Sequence, residues 1–402
     1  MTTVEIATQT ILENLLHLGT ESVAIELAVE RVLQEPLVAD RDMPPFDRVT
    51  MDGIAIQWEA FENGHRFFPI ESVAAAGAPR HALKVPLHCI ETMTGTMLPA
   101  HTDTVIRYED LKIENGIAQV QTESVKCGQN VHRRGEDCTV GTTLVPPGRV
   151  ITAAEIGIAA TVGKSQLLVT RQPKILILSS GDELVGVGDT PLPHQIRMSN
   201  SLTLQAMLAS YRINANCAHL PDDASEISVR LSAALESYHV LLLSGGVSEG
   251  KFDYVHRSLE SLGVEKLFHK VSQRPGKPFW FGRRDLPNGR RLVFAFPGNP
   301  VSTFVCAMRY FLPWLQVSLG MLNAAFPQAQ LARDVNFKPD LTYFLPVKIT
   351  NEGGKLLAHP VAGHGSGDLA NLAAVDGFLE LPKGKNDYWI GEAYPFIAFR
   401  FR

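Results

Sequence analysis

VLLLSGGVSEGKFDY, residues 240–254, decides how this chain is read. A continuous apolar run, the form of a strand buried on both faces, opens into a glycine loop and then into a helix-like pattern at 253–262. Two more turns follow in the same stretch: RPGKP at 274–278, and PGNP at 297–300, which leaves the apolar run at 292–296 and enters a helical pattern from Val301. A backbone that brings several N–H groups up to an anion needs glycine, which has no Cβ and reaches φ values closed to other residues. Gly245, Gly246 and Gly250 meet that need. In open α/β sheets ligands gather outside the carboxyl ends of the strands, where helix N-termini add donors. Any one of these turns reads most simply as a tight connection. Three together point to one sheet edge that binds a phosphorylated ligand.

Outward from this stretch, strand and helix patterns alternate: a strand at 174–179, a helix after Asn200, a strand at 213–220, a helix after Asp222 or Asp223, and a strand at 239–243. Parallel βαβ units are therefore expected. Runs at 262–271, 279–282 and 292–296 supply further strands, with a turn at Pro287-Asn288-Gly289. A helix from Val301 to Pro313 is expected to continue, kinked, toward Leu319. The fold class is thus multidomain α/β plus β: a central α/β domain at 170–322 with a mostly parallel sheet, a β-rich domain at 44–139, and a β-type, barrel-like C-terminal domain at 325–402. Residues 1–43 with 140–169 form a discontinuous N-terminal helical and linker domain. Its first part reads as two helices broken at Gly19, and its later part carries a capping-box spacing at Thr152 and Glu155.

Composition bounds the function. The chain has 402 residues, 45% of them hydrophobic, which suits about two to four domains with substantial cores. A net charge of −5 without any basic run gives no footprint for nucleic acid, so anion binding is local. No apolar run reaches the ~18 residues of a membrane span, and the N-terminal MTTVEIATQTILENLL, with Glu5 and Glu13, lacks the basic region of a signal peptide. Cys89, Cys127, Cys138, Cys217 and Cys306 have no paired metal-ligand spacing and are odd in number, as expected of reduced thiols in a cytoplasmic protein without zinc.

Local rules single out several side chains. Lys277 is the foremost cation, because two prolines and a glycine frame its backbone; Arg274 could pair a phosphate bidentately. Lys251 reads equally well as a solvated loop charge. Asp253 closes the first glycine loop, where it either caps the following helix or binds a metal ion, and Asp222, beside Asp223, has the same two readings. Glu183 lies in the loop after the first strand, where Asp182 suits an N-cap. Asp52, in Met51-Asp52-Gly53, is by local rules a turn residue.

Nine stretches, in order, resemble the MoeA family of molybdopterin molybdenumtransferases, which includes the E domain of gephyrin: PPFDRVTMDGIAI at 44–56, MTGTMLPAHTDTVI at 93–106, NVHRRGEDCTVG at 130–141, SSGDEL at 179–184, RMSN at 197–200, GGVSEGKFDY at 245–254, PGKPFWFG at 275–282, PGNPVS at 297–302 and GHGSGDLANLAAVDG at 363–377. The resemblance covers nearly the whole chain. It implies a molybdopterin-binding fold in the central domain and a homodimer with the active site between subunits. It implies that molybdate is inserted into adenylated molybdopterin with Mg²⁺-dependent release of AMP. The implied catalytic residues are Asp52, Thr94, Asp137, Glu183, Asp253 and Lys277, with Asp253 and Asp222 as metal ligands and Arg134 as an anion contact. The implied binding residues are Ser244, Gly245, Gly246, Ser248, Arg274, Pro275, Gly276, Lys277, Pro297, Gly298, Asn299, Pro300 and Ser366. A molybdopterin adenylyltransferase and a molybdoenzyme are the partner proteins it suggests. The chain departs from the pattern in lacking an arginine in the first strand of its last domain, where Leu345 takes the place. Three other readings stand beside insertion of molybdate: tungstate insertion, adenylyl transfer, and a molybdopterin-binding scaffold or carrier without catalysis. The modules outside the α/β domain argue against adenylyl transfer.

Overall fold

The computed structural model describes residues 1–246, 254–321 and 325–400. They form two compact units: one of Glu35–Pro147 with Ala153–Gln166, the other of Met1–Gln34, Gly148–Thr152 and Leu167–Arg402. Among the described residues no helix is long and apolar enough to cross a membrane. All five cysteines are free thiols.

The smaller unit is built on a six-stranded sheet of β1 (Gly53–Ile56), β2 (Phe67–Ala74), β3 (Cys89–Thr92), β4 (Thr104–Arg107), β5 (Leu111–Glu114) and β6 (Ile117–Val120), in the order β4-β1-β3-β2-β6-β5. Its core is Ile54, Ile56, Phe61, Phe68, Ile106 and Ala118. The MDG turn delivers the chain into β1, which is antiparallel to both neighbours. Gly53 lies there against the backbone of β4: a Cβ would run into the Ile106 carbonyl oxygen and come within 2.8 Å of Arg107 Cα. The obstacle is backbone and cannot swing away. Gly53→Ala is therefore expected to destabilise this unit by about 3 kcal/mol, the upper range for overpacking, read as a lowered denaturant midpoint.

The larger unit holds the α/β sheet: β7 (Ile175–Ser180), β8 (Asn216–Leu220), β9 (Val240–Ser244), β10 (Glu265–His269), β12 (Trp280–Leu286) and β13 (Gly289–Phe296), ordered β8-β7-β9-β13-β12-β10. The two-residue strand β11 (Gln273–Arg274) leaves this sheet for another. The four strands β8, β7, β9 and β13 are parallel; β12 is antiparallel to β13, and β10 is antiparallel to β12. Both faces are covered, which is why the runs 175–178 in β7, 240–243 in β9 and 292–296 in β13 are continuously apolar rather than alternating. Ile175, Ile177, Val240, Leu242, Leu292 and Phe294 face one core with the helices Asn200–Ala209 and Pro300–Cys306. Leu176, Leu178, Leu241, Leu243, Val293 and Ala295 face the other, with the helices Ala224–Ser237 and Tyr254–Ser261.

The helix entered at Pro300 passes through a π-helical segment, Ala307–Phe311, before Leu312–Ser318. The expected kink takes this form because Pro313 has no N–H to give to the turn before it. The C-terminal strands β14 (Gln328–Leu331), β15 (Thr342–Glu352), β16 (Lys355–Pro360), β17 (Gly377–Leu381) and β18 (Ala393–Ala398) close into a barrel, since β17 pairs with both β18 and β15. β11 adds to its wall, parallel to Thr342 and Tyr343 of β15.

Two local expectations fail. After the helix Val4–Leu12 there is no second one: Thr20–Ala24 is a strand and Ile25–Leu27 a single 3₁₀ turn. Val23 lies in the strand, Ile25 and Leu27 in the 3₁₀ turn, and the pairing of the strand with Gln166–Thr170 overrides the local helical spacing. Asp182 caps no helix. Its carboxylate accepts from Asp222 N–H at 3.1 Å, while Asp222 accepts from Asp182 N–H at 3.4 Å. The cap of the helix Ala224–Ser237 is Asp223, which accepts from Ser225 and Glu226 N–H.

Candidate functional site

The three glycine turns meet at one edge of the α/β sheet. Ser244-Gly245-Gly246 and Pro297–Pro300 follow the carboxyl ends of the neighbouring parallel strands β9 and β13. RPGKP precedes β12, whose antiparallel course begins at that same edge, with Trp280 opposite Ala295. Asn200, from RMSN, fastens two of the turns: its Nδ2 donates to Ser244 Oγ at 2.8 Å and to the Gly298 carbonyl at 2.7 Å. A Cβ on Gly298 would lie 3.6 Å from Gly245 Cα, so these loops touch. Sequence reasoning assigned Asn200 no role, although its motif had been noticed.

A cavity of about 820 Å³ opens beside them, lined by Arg274, Pro275, Gly276, Lys277, Pro297 and Asn299 on the α/β side and by Tyr343, Phe344, Pro346, His364, Gly365 and Ser366 on the barrel side. Asn299 Nδ2 donates to Ser366 Oγ at 2.8 Å, and Val301 N–H donates to the Ser366 carbonyl at 3.0 Å, binding PGNP to the GHGSG loop. Pro300 is the first residue of the helix behind them. Arg274 and Lys277 are exposed, and among the described residues neither has a carboxylate partner. Two unpaired cations in a concave site suit an anionic ligand. Arg274 counteracts the burial that raises the Tyr343 phenol above its ordinary range. At the rim Asp368 accepts from the backbone N–H of His364 at 3.0 Å and lies 3.2 Å from its ring Nδ1.

Leu345 lies on the barrel strand that forms this wall. Strand alternation turns it into the barrel core with Val347 and Leu379, and Phe344 and Pro346 face the cavity.

Of the carboxylates, Glu183 and Asp222 are exposed in the loops after β7 and β8, and the Asp182–Asp222 reciprocal pair holds two carboxylates together there. Ser248 and Asp253 lie outside the described residues. Among the described residues no group of three His, Cys, Asp or Glu side chains could hold a metal ion.

Asp52 and Thr94 belong to the smaller unit and meet in it. Asp52 Oδ1 accepts from Thr94 N–H at 2.6 Å and from Thr94 Oγ1 at 2.7 Å. These two donors, the backbone N–H first, hold the Asp52 carboxyl below its usual range. The pair is exposed and its geometry is set without a ligand. Asp137 stands apart from it, 3.0 Å from His132 Nε2, and Arg134 is engaged by Asp42 at 2.8 Å.

Comparison with known proteins finds matches along nearly the whole chain. Residues 2–163 match the model of the MoeA N-terminal region (domain I and II), 176–317 that of a probable molybdopterin binding domain, and 328–399 that of the MoeA C-terminal region (domain IV). The chain is 38% identical to a molybdopterin molybdenumtransferase of Synechocystis over 386 residues, covering 95% of this chain and 96% of the relative. It is 30% identical to the molybdopterin molybdenumtransferase of Bacillus subtilis, covering 95% and 90%. The crystal structure of a molybdopterin biosynthesis MoeA protein from Pyrococcus horikoshii superposes with a TM-score of 0.82 at 26% identity, covering 99% of this chain and 100% of that one.

Proposed function

Since this chain belongs to the MoeA family, the molybdopterin molybdenumtransferases, we propose that its cavity binds adenylated molybdopterin through the diphosphate and that the bound ligand is cleaved to AMP as molybdenum is inserted. The protein is a transferase of molybdenum cofactor biosynthesis. The observation that carries the proposed binding mode is the pair of cations, Arg274 and Lys277, without a carboxylate partner among the described residues, in a cavity that Asn299 and Ser366 also line.

In this reading Arg274 and Lys277 hold diphosphate oxygens, and the Asn299–Ser366 hydrogen bond keeps the PGNP and GHGSG loops at the spacing the ligand spans. Water adds to phosphorus as the diphosphate P–O bond breaks, giving AMP and the pterin monophosphate. Asp52, with its acceptor geometry set by Thr94, and Glu183 and Asp137 are the groups that would hold or move protons and orient molybdate. For Mg²⁺ the donors fit: this ion takes one or two carboxylates and completes its shell with phosphate oxygens and water, and Asp222, next to Asp182, offers the carboxylates. Asp222 and Asp253 are the proposed ligands. Bound there, the ion would neutralise the charge that builds on the diphosphate.

A homodimer whose active site is shared between subunits is part of the proposal, supported by the exposed, preset Asp52–Thr94 pair, and so is a cytoplasmic location, supported by five free thiols. The test is AMP release from adenylated molybdopterin by purified protein, with molybdate and Mg²⁺ each added or omitted and tungstate substituted in one arm. Release that needs both, with molybdenum retained on the pterin, is expected. Tight pterin binding without release in any mixture would overturn the proposed chemistry.

A further inference from the structure

We propose that Gln273, held by Tyr310 and Cys306, is a positioning residue that aims the backbone N–H groups of Gly276 and Lys277 into the cavity as a nest for a phosphate-type oxyanion. The inference rests on the reading of this cavity as the diphosphate site.

Gln273 is fully buried beneath the RPGKP turn. Its Nε2 donates to the Pro275 carbonyl at 3.0 Å and to Cys306 Sγ at 3.5 Å. The Cys306 thiol in turn donates to the Gly276 carbonyl at 3.8 Å. Tyr310 donates its hydroxyl to Gln273 Oε1, which fixes the amide so that its nitrogen, not its oxygen, faces the turn. Val271 N–H to the Lys277 carbonyl, 2.9 Å, closes the loop around this side chain. Burial pushes both the Tyr310 phenol and the Cys306 thiol well above their ordinary ranges, so each stays a donor at neutral pH.

Two consecutive carbonyls are thus drawn inward, toward the protein interior. The Pro275–Gly276 and Gly276–Lys277 peptides are trans, and in a planar trans peptide C=O and N–H point in opposite directions. The N–H groups of Gly276 and Lys277 therefore point outward, on a turn whose residues line the cavity, and among the described residues neither has an acceptor. Successive N–H groups presented in this way form an anion-binding concavity. Gly276 admits no substitute: its φ is +90°, and a Cβ would lie 2.6 Å from both Cys306 Sγ and Gln273 Nε2. The π-helical segment Ala307–Phe311 explains how the trio assembles, since it places Tyr310 on the face of the helix that looks onto Gln273, 37 residues away in sequence.

The experiment compares the full-length protein with Gln273→Met and Tyr310→Phe, measuring AMP release and, separately, binding of inorganic pyrophosphate. Gln273→Met keeps the shape and removes the amide; its KM for adenylated molybdopterin and its Kd for pyrophosphate are both expected to rise about tenfold, the effect of one charge-assisted hydrogen bond, with kcat within about twofold. Tyr310→Phe frees the amide to rotate and is expected to raise both about threefold in a protein that still folds, its melting temperature lowered by a few degrees, so it decides the matter if Gln273→Met does not fold. The loss in Gln273→Met should persist in a Lys277→Ala background, because the nest is backbone and not side chain. Wild-type KM and Kd in Tyr310→Phe, or a fall in kcat with KM unmoved, would overturn the positioning role alone. A wild-type protein that neither binds pyrophosphate nor releases AMP would overturn the diphosphate reading and the nest with it.

Discussion

Lys277→Ala is expected to raise the KM for adenylated molybdopterin about 50-fold while kcat stays within about threefold. A charge-assisted contact to a phosphate oxygen contributes roughly 1.5–3 kcal/mol, and among the described residues the Lys277 ammonium has no carboxylate partner to divert it. The same absence of partners makes the variant informative about binding: an exposed ammonium with no carboxylate beside it adds nothing to folding that its removal could take away, so the melting temperature should not move. Lys277→Arg is not expected to restore the wild-type value, because the planar guanidinium needs a different approach from the compact ammonium of a turn framed by Pro275 and Pro278. A KM unchanged in Lys277→Ala would remove this residue from the diphosphate site.

The largest effect on stability is expected at Arg309, which lies in the π-helical segment and reaches the barrel. Its Nε donates to Glu380 Oε2 at 2.6 Å and its Nη2 to Glu380 Oε1 at 3.2 Å, while Nη1 donates to Thr8 Oγ1 of the first helix at 3.1 Å. Both charged side chains are nearly buried, 12% and 13% exposed. Arg309→Ala strands the Glu380 carboxylate and should cost about 3–5 kcal/mol, read from chemical denaturation. The double variant Arg309→Met/Glu380→Leu should recover most of that, since removing both charges leaves nothing unpaired. Glu380 stands opposite Phe344, a wall residue of the cavity, so the single variant should also raise the KM. A single variant as stable as wild type would show that the pair is solvated in solution.

How much of this was legible in the chain follows from the range of the forces involved. β9 and β13 could be read because burial on both faces leaves an unbroken apolar run, and the turns because glycine and proline act on the residues next to them. Local rules failed where two local solutions were close. Val23, Ile25 and Leu27 fit a helix or a strand, and the pairing with Gln166–Thr170 settled it from about 140 residues away. Asp182, Asp222 and Asp223 are alike as cap formers, and only the geometry assigns the cap to the third. Leu345 and Pro346 are neighbours in the chain, yet strand alternation sends the first into the barrel core and the second to the cavity wall. The family resemblance singles out Asp52 and Thr94 one by one, and their meeting, 42 residues apart in sequence, is visible only in the fold. Gln273 had no signal at all, because a glutamine before a turn is ordinary until Tyr310 and Cys306 are seen beneath it.

The first helix of this chain is also the last to find its place. Val4, Ala7 and Ile11 are buried, and the backbone just beyond them is held by Trp314 Nε1, which donates to the Asn14 carbonyl across 300 residues, and by Ser318 Oγ, which accepts from Leu16 N–H across 302. A nine-residue helix has little stability by itself in water. At translation rates of about 5–20 residues per second, its apolar face waits roughly 15–60 s on the ribosome before its partner exists. For that interval the hydrophobic face of this helix stays unburied, and its hydrogen-bonded anchors are still to be made.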